Sequence, residues 1–171
     1  MYKLLIFILL IPLNSLFGQD GKEIQSKYPK YVGDIEFDEK TDRKDFELNL
    51  EKRIYQYFNH FDNGLEYEGE KLAIEKEFAA KYKPEKIENE TGLIRINFVV
   101  NYKGETDRFR LIAMDENYNE KVFPQSVTSQ LMDITKGLKG WKIQRSKDAE
   151  VDYYQYLIFK IQDGQLIEIL P

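Results

Sequence analysis

Three stretches of this chain alternate apolar with other residues at the spacing of a pleated strand, and a chain patterned this way has to bury one side of a sheet. In residues 93–100 the alternation puts Ile94, Ile96, Phe98 and Val100 on one face and Arg95 and Asn97 on the other. Residues 106–113 repeat it, with Phe109, Leu111 and Ala113 opposed to Arg108, Arg110 and Ile112. The connection, Asn101-Tyr102-Lys103-Gly104, is short and carries a glycine that can take positive φ, so the two runs predict an antiparallel hairpin. Residues 151–161 are the third stretch: Val151, Tyr153, Gln155, Leu157, Phe159 and Ile161 alternate with Asp152, Tyr154, Tyr156, Ile158 and Lys160. Gln162-Asp163-Gly164-Gln165 is a tight-turn sequence, from which residues 166–170 can return beside the third strand.

A sheet with one apolar face needs a cover. After a polar loop over residues 115–121, Pro124 suits the first turn of a helix whose Val127, Leu131, Ile134 and Leu138 form one stripe, and Gly140 is placed to end it in a left-handed conformation before Trp141. Further back, Thr41 or Asp42 can cap a helix carrying Phe46, Leu50, Ile54, Tyr57, Phe58 and Phe61 on one side. This aromatic stripe reads as core. Asp62-Asn63-Gly64 would end that helix, and a second one over residues 70–82 would bury Leu72, Phe78, Ala79 and Tyr82 before Lys83-Pro84 stops it. The expected class is α+β: an antiparallel sheet of three to four strands packed by helices.

Residues 92–100, reading Gly-Leu-Ile-Arg-Ile-Asn-Phe-Val-Val, are followed by Lys103-Gly104, a helix, Leu138-Lys139-Gly140-Trp141 and then the run from Tyr156 to Ile161. In this order and in these residues the chain resembles the C-terminal domain of the TonB family, periplasmic energy transducers and their relatives, over residues 92–171. Ile143 stands where many relatives have proline after the Trp, and Ser146-Lys147-Asp148-Ala149 replaces their glycine-containing turn. The resemblance implies a TonB C-terminal-like fold and a sheet edge, on the strand after the Trp, against which a partner peptide lies. Here residues 166–170 would fill that edge, moving strand addition to the new outer edge or elsewhere. A transducer also needs a retained membrane helix and a long Pro-rich spacer, whereas the 5 prolines here are scattered.

The N-terminus supports export without a tether. Lys3 precedes the apolar run Leu4-Leu5-Ile6-Phe7-Ile8-Leu9-Leu10-Ile11-Pro12-Leu13, and residues 1–18 read as a secretory signal peptide cut near Gly18 or Gln19; the alternative is an uncleaved membrane anchor, for which the run is short and interrupted by Pro12. The expected organisation is therefore a signal over 1–18, an arm and two helices over 19–91, and the TonB-like domain over 92–171, in a periplasmic or secreted protein with no stable membrane anchor after cleavage. Losing Lys3 takes the formal charge from −5 to −6, which disfavours nucleic acid as a partner. The absence of cysteine excludes disulfides and thiol chemistry, and a single histidine argues against zinc.

The remaining candidates for chemistry are few. Asp115-Glu116-Asn117-Tyr118-Asn119 begins like a calcium loop, but Glu120 stands where the sharp turn wants glycine and Ser126 where a bidentate glutamate belongs. Glu66, Glu68 and Glu70, beside Asp62, could supply carboxylates to a small envelope hydrolase or glycan-active enzyme, the rival reading. His60 reads as packing or capping, and Ser126 and Ser129 lack the glycine-rich elbow of a nucleophile. Tyr154 and Tyr156 share the second face of the sheet with Arg108 and Arg110, and aromatics beside arginines suit contact with protein, peptide or glycan. The same face could instead lie under the N-terminal helices. The expectation is an exported non-enzymatic domain with no catalytic residues, metal or cofactor. It would bind an envelope protein or peptide through Arg108, Arg110, Tyr154 and Tyr156 or by strand addition.

Overall fold

The structure, a computed structural model, describes residues 35–49, 53–56 and 65–170. The signal peptide, the arm before residue 35, His60, Asp62 and four members of the aromatic stripe (Leu50, Tyr57, Phe58 and Phe61) lie outside the described residues.

The fold is α+β. Helix α1 (Glu70–Lys81) precedes the hairpin of β1 (Gly92–Val100) and β2 (Thr106–Met114). Then follow α2 (Gln125–Gly137), a small hairpin of β3 (Gln144–Ser146) and β4 (Ala149–Val151), the long β5 (Tyr153–Gln162) and β6 (Gln165–Leu170). The four long strands make one antiparallel sheet in the order β2-β1-β5-β6. β1 and β5 pair along their whole length, from Gly92 opposite Ile161 to Val100 opposite Tyr153.

The alternation sorts residues between the two faces as the pleat requires. Ile94, Ile96, Phe98 and Val100 of β1 and Leu157, Phe159 and Ile161 of β5 are buried together with Val127, Leu131 and Ile134 of α2 and Leu138 just after it. Each such side chain contributes roughly 1.5–3 kcal/mol when fully removed from water. Helix α1 joins this core through Ile74 and Phe78, the latter ring 4.9 Å from Phe159. Leu72 and Ala79, expected inside, are exposed. Ile74 and Phe78 are one helical turn apart and face the sheet, which turns Leu72 to the far side.

Trp141 sits against Phe98 (5.1 Å between rings) and edge-on to Tyr67 (4.9 Å). Gly140 does not cap α2. The helix ends at Gly137, and a Cβ on Gly140 would fall 2.8 Å from the Tyr67 ring, so its bare Cα is what lets that ring approach. Gly104 does take the expected positive φ, 78°.

The largest departure concerns the first predicted helix. Residues 43–49 and 53–56 run as turns and extended chain, and Tyr55 pairs in parallel with Tyr153. The main chain of this arm bonds to the sheet: the Arg43 N–H donates to Asp107, the Asn49 N–H to Asp152, and the Glu47 carbonyl accepts from Asn101. A helix would need the Asn49 N–H and the Glu47 carbonyl for itself.

Candidate functional site

The second face of the sheet carries Arg95, Asn97 and Val99 on β1, flanked in register by Arg110 and Ile112 on β2 and by Tyr154, Tyr156 and Ile158 on β5. A bulge in β2 shapes one end. Three steps along β2, from Arg110 to Asp107, match two along β1, and the added residue falls at Arg108, with φ 59°. The bulge brings Asp107 and Arg110 to the same side of the sheet, beneath the arm.

Arg110 is held there. Its guanidinium donates to both carboxylate oxygens of Asp42 at 2.7 Å and to the Glu36 carbonyl at 2.6 Å. Hydrogen bonding to Arg110 brings the Asp42 carboxyl down to about 2 despite the opposing cost of its burial. Arg108 lies 5.9 Å from the Phe37 ring, and Tyr154 packs on a small cluster of Ile35, Phe46 and Val99 while its N–H donates to the Tyr55 carbonyl. Tyr156 lies under the Arg95 guanidinium, 4.1 Å from its ring centre. The four residues singled out in the sequence thus do share one face. Three of them face the arm of residues 35–49 and 53–56, and the fourth is stacked by a neighbour.

Asp152, the residue that separates β4 from β5, was not foreseen. It is 1% exposed, and its carboxylate accepts the Asn49 N–H at 2.7 Å and the Tyr102 N–H at 2.8 Å. Burial pushes its pKa up, against the pull of these two donors. An acid among strand residues was the available signal.

Asp115 accepts the N–H groups of Asn117 and Asn119, which hold its carboxyl below the usual range and close the loop on itself. Among the described residues no group of three or more His, Asp or Glu is placed to hold a metal ion. Glu66 accepts from the Gln144 amide at 2.7 Å, and residues 66–68 bond to residues 140–142 around the pairing of Tyr67 with Trp141. Glu66, Glu68 and Glu70 follow one another along a single segment.

Two open grooves lie at the ends of the sheet. One, of about 530 Å³, is bounded by Leu111, Ile112 and Ala113 of β2, by Phe123, and by Tyr118 and Val122, whose side chains are largely exposed. The other, of about 340 Å³, lies between β6 and α1. None of Glu66, Glu68 and Glu70 lines either groove. No described helix is long and apolar enough to cross a membrane. Compared with protein-family models, curated proteins and solved structures, the chain matches none.

Proposed function

We propose that the chain is an exported, non-enzymatic binding domain of the cell envelope, similar in plan to the TonB C-terminal domain, which takes up an extended protein or peptide segment by strand addition. The observation that carries it is the sheet's two ends: β2 and β6 are terminal strands, and each runs beside an apolar groove. An unpaired row of main-chain donors and acceptors beside apolar pockets is what an added strand requires, since the row supplies affinity and the pockets read alternate side chains. The order of strand, turn, strand, helix, Trp and strand, with Trp141 in the core, supports the likeness to that domain. The tyrosine-bearing face is the weaker location, because the arm already engages Arg110 and Tyr154.

Selection of a displayed random-peptide library on the purified chain, followed by mapping of the enriched peptides on its amide resonances, tests this. Binders with alternating apolar residues that shift the amides of β2 or β6 and the neighbouring helix are expected. A library that yields no binder, or binders that shift neither edge, overturns the reading.

A further inference from the structure

The two edges are not equally open. β2 is blunted along much of its length: it carries the bulge at Arg108, the Arg110 side chain donates to the Phe109 carbonyl, and residues 119–121 pair with its end through Met114 and Ala113. β6 has its own bulge beside Ile161, yet among the described residues nothing outside the sheet bonds to its main chain over residues 166–170. The segment that follows α1 reaches only the turn before β6, where the Tyr82 hydroxyl donates to the Gly164 carbonyl.

The chemistry of the β6 groove is one-sided. Phe78 and Ala79 of α1 and Tyr82 just after it line it, with Leu166 of β6. Its charged residues are Glu75 and Glu168, and among the described residues no cation lines it. Glu75 has an exposed i,i+4 partner in Lys71 at 3.6 Å, a weak pair. Glu168 stands across from Lys160 in register. Register fixes how these groups are presented. Leu166 and Ile169 oppose Ile161 and Phe159 on the core side, whereas Glu168 opposes Lys160 on the other. A strand laid against β6 would turn alternate residues toward α1, where the lining is apolar apart from Glu75, and the rest toward water beside Glu168. The volume suits a few side chains and lies at the low end of the roughly 300–1,000 Å³ seen for ligand clefts.

We propose that this groove receives an extended segment of a partner protein as a fifth strand, apolar at the positions facing α1 and carrying lysine or arginine at the positions between. The inference rests on the binding reading above and adds the edge and the partner's charge. Two blocked heptapeptides test it, Lys-Val-Lys-Val-Lys-Val-Lys and its counterpart with Glu for Lys, each titrated into the whole chain with amide shifts recorded. The basic peptide is expected to shift residues 165–170 and the α1 residues 75–81, and to bind about ten-fold more tightly than the acidic one. The double variant Glu75→Lys/Glu168→Lys should reverse that order. Glu88→Lys/Glu116→Lys, with the same change in net charge away from the groove, should not, which separates local recognition from the general attraction of an acidic protein for a basic peptide. Shifts confined to β2, or a preference equally weakened by both double variants, overturn the inference and leave strand addition standing. If neither heptapeptide nor any library peptide binds, both proposals fall.

Discussion

On one face of the sheet two helices lay apolar side chains over Ile94, Ile96, Phe98, Leu157 and Phe159; on the other an irregular arm is fastened at separate points. The first cover is a continuous apolar contact and has no single bond on which it depends. The second holds by direction: Asp42 grips Arg110, Asp107 takes the Arg43 N–H, and Asp152 takes the Asn49 and Tyr102 N–H groups. Its apolar part is the small cluster of Ile35, Phe46 and Val99 with Leu48, Ile54 and Tyr154 against it. The contrast predicts two kinds of failure. Loss on the helix side should be global, because everything there is packed on everything else. On the arm side a fastening can open while the sheet stays folded.

The largest effect belongs to the helix side. Phe98 is fully buried and touches the rings of Phe109 and Trp141, at 5.2 and 5.1 Å between centroids. Phe98→Ala should cost about 3–5 kcal/mol and lower the midpoint of a single cooperative denaturant transition. If α2 amides lose their exchange protection in this variant while β1 and β5 keep theirs, the helix side too is fastened locally and the contrast fails.

Next comes the arm. In Asp152→Asn one acceptor oxygen becomes an NH₂ group, leaving the Asn49 or the Tyr102 N–H facing a donor, at a cost of about 1–3 kcal/mol. Hydrogen exchange should quicken at Asn49 and Tyr102, with the amides of Ile96 and Leu157 unchanged. A uniform loss of protection throughout the sheet would mean that the arm and the core unfold as one unit.

The same contrast explains what could be read before any coordinates. Apolar periodicity is the signature of the helix side, and it located β1, β2, α2, β5 and β6, because those residues alternate or recur according to the face they bury. It misled at Phe46 and Ile54, whose spacing suits a helix, since periodicity carries no information about where main-chain groups bond, and here Asp107, Asp152 and Asn101 take them. It misled again at Leu72, because the residue that faces the core is Ile74. Of the candidate site, the shared face of Arg108, Arg110, Tyr154 and Tyr156 was legible from parity alone. Their engagement by the arm was not, as it depends on a bulge and on residues far away in the chain. The return of β6 along β5 could be read from Asp163-Gly164, but the groove beside it needs α1, and nothing local to β6 announces that helix.

The smallest effect, and the sharpest in sign, concerns Asp42 and Asp152, two of the carboxylates that hold the arm. The Asp42 pKa falls from 3.8 to about 2 in the fold, so the unfolded chain binds that proton more tightly. Its contribution is complete above about pH 4 and is lost as pH falls toward 2. Asp152 is raised instead, chiefly by burial, so the folded chain binds the proton more tightly and this group favours the fold at acid pH, an effect lost as pH rises through its folded pKa above 3.8. A shift of nearly two units sets a ceiling of about 2.5 kcal/mol for Asp42. The Arg110 side chain is 29% exposed and can be rehydrated when its partner goes, so Asp42→Asn should cost about 1–2 kcal/mol at neutral pH. That cost should shrink as pH falls below 4, while the pH dependence of Asp152→Asn should differ from wild type above 4. Denaturant midpoints recorded from pH 2 to 7 separate the two. Should both variants converge on wild type in acid, Asp152 would be held by its N–H donors more strongly than its burial opposes, and the arm would be fastened by two carboxylates of the same kind.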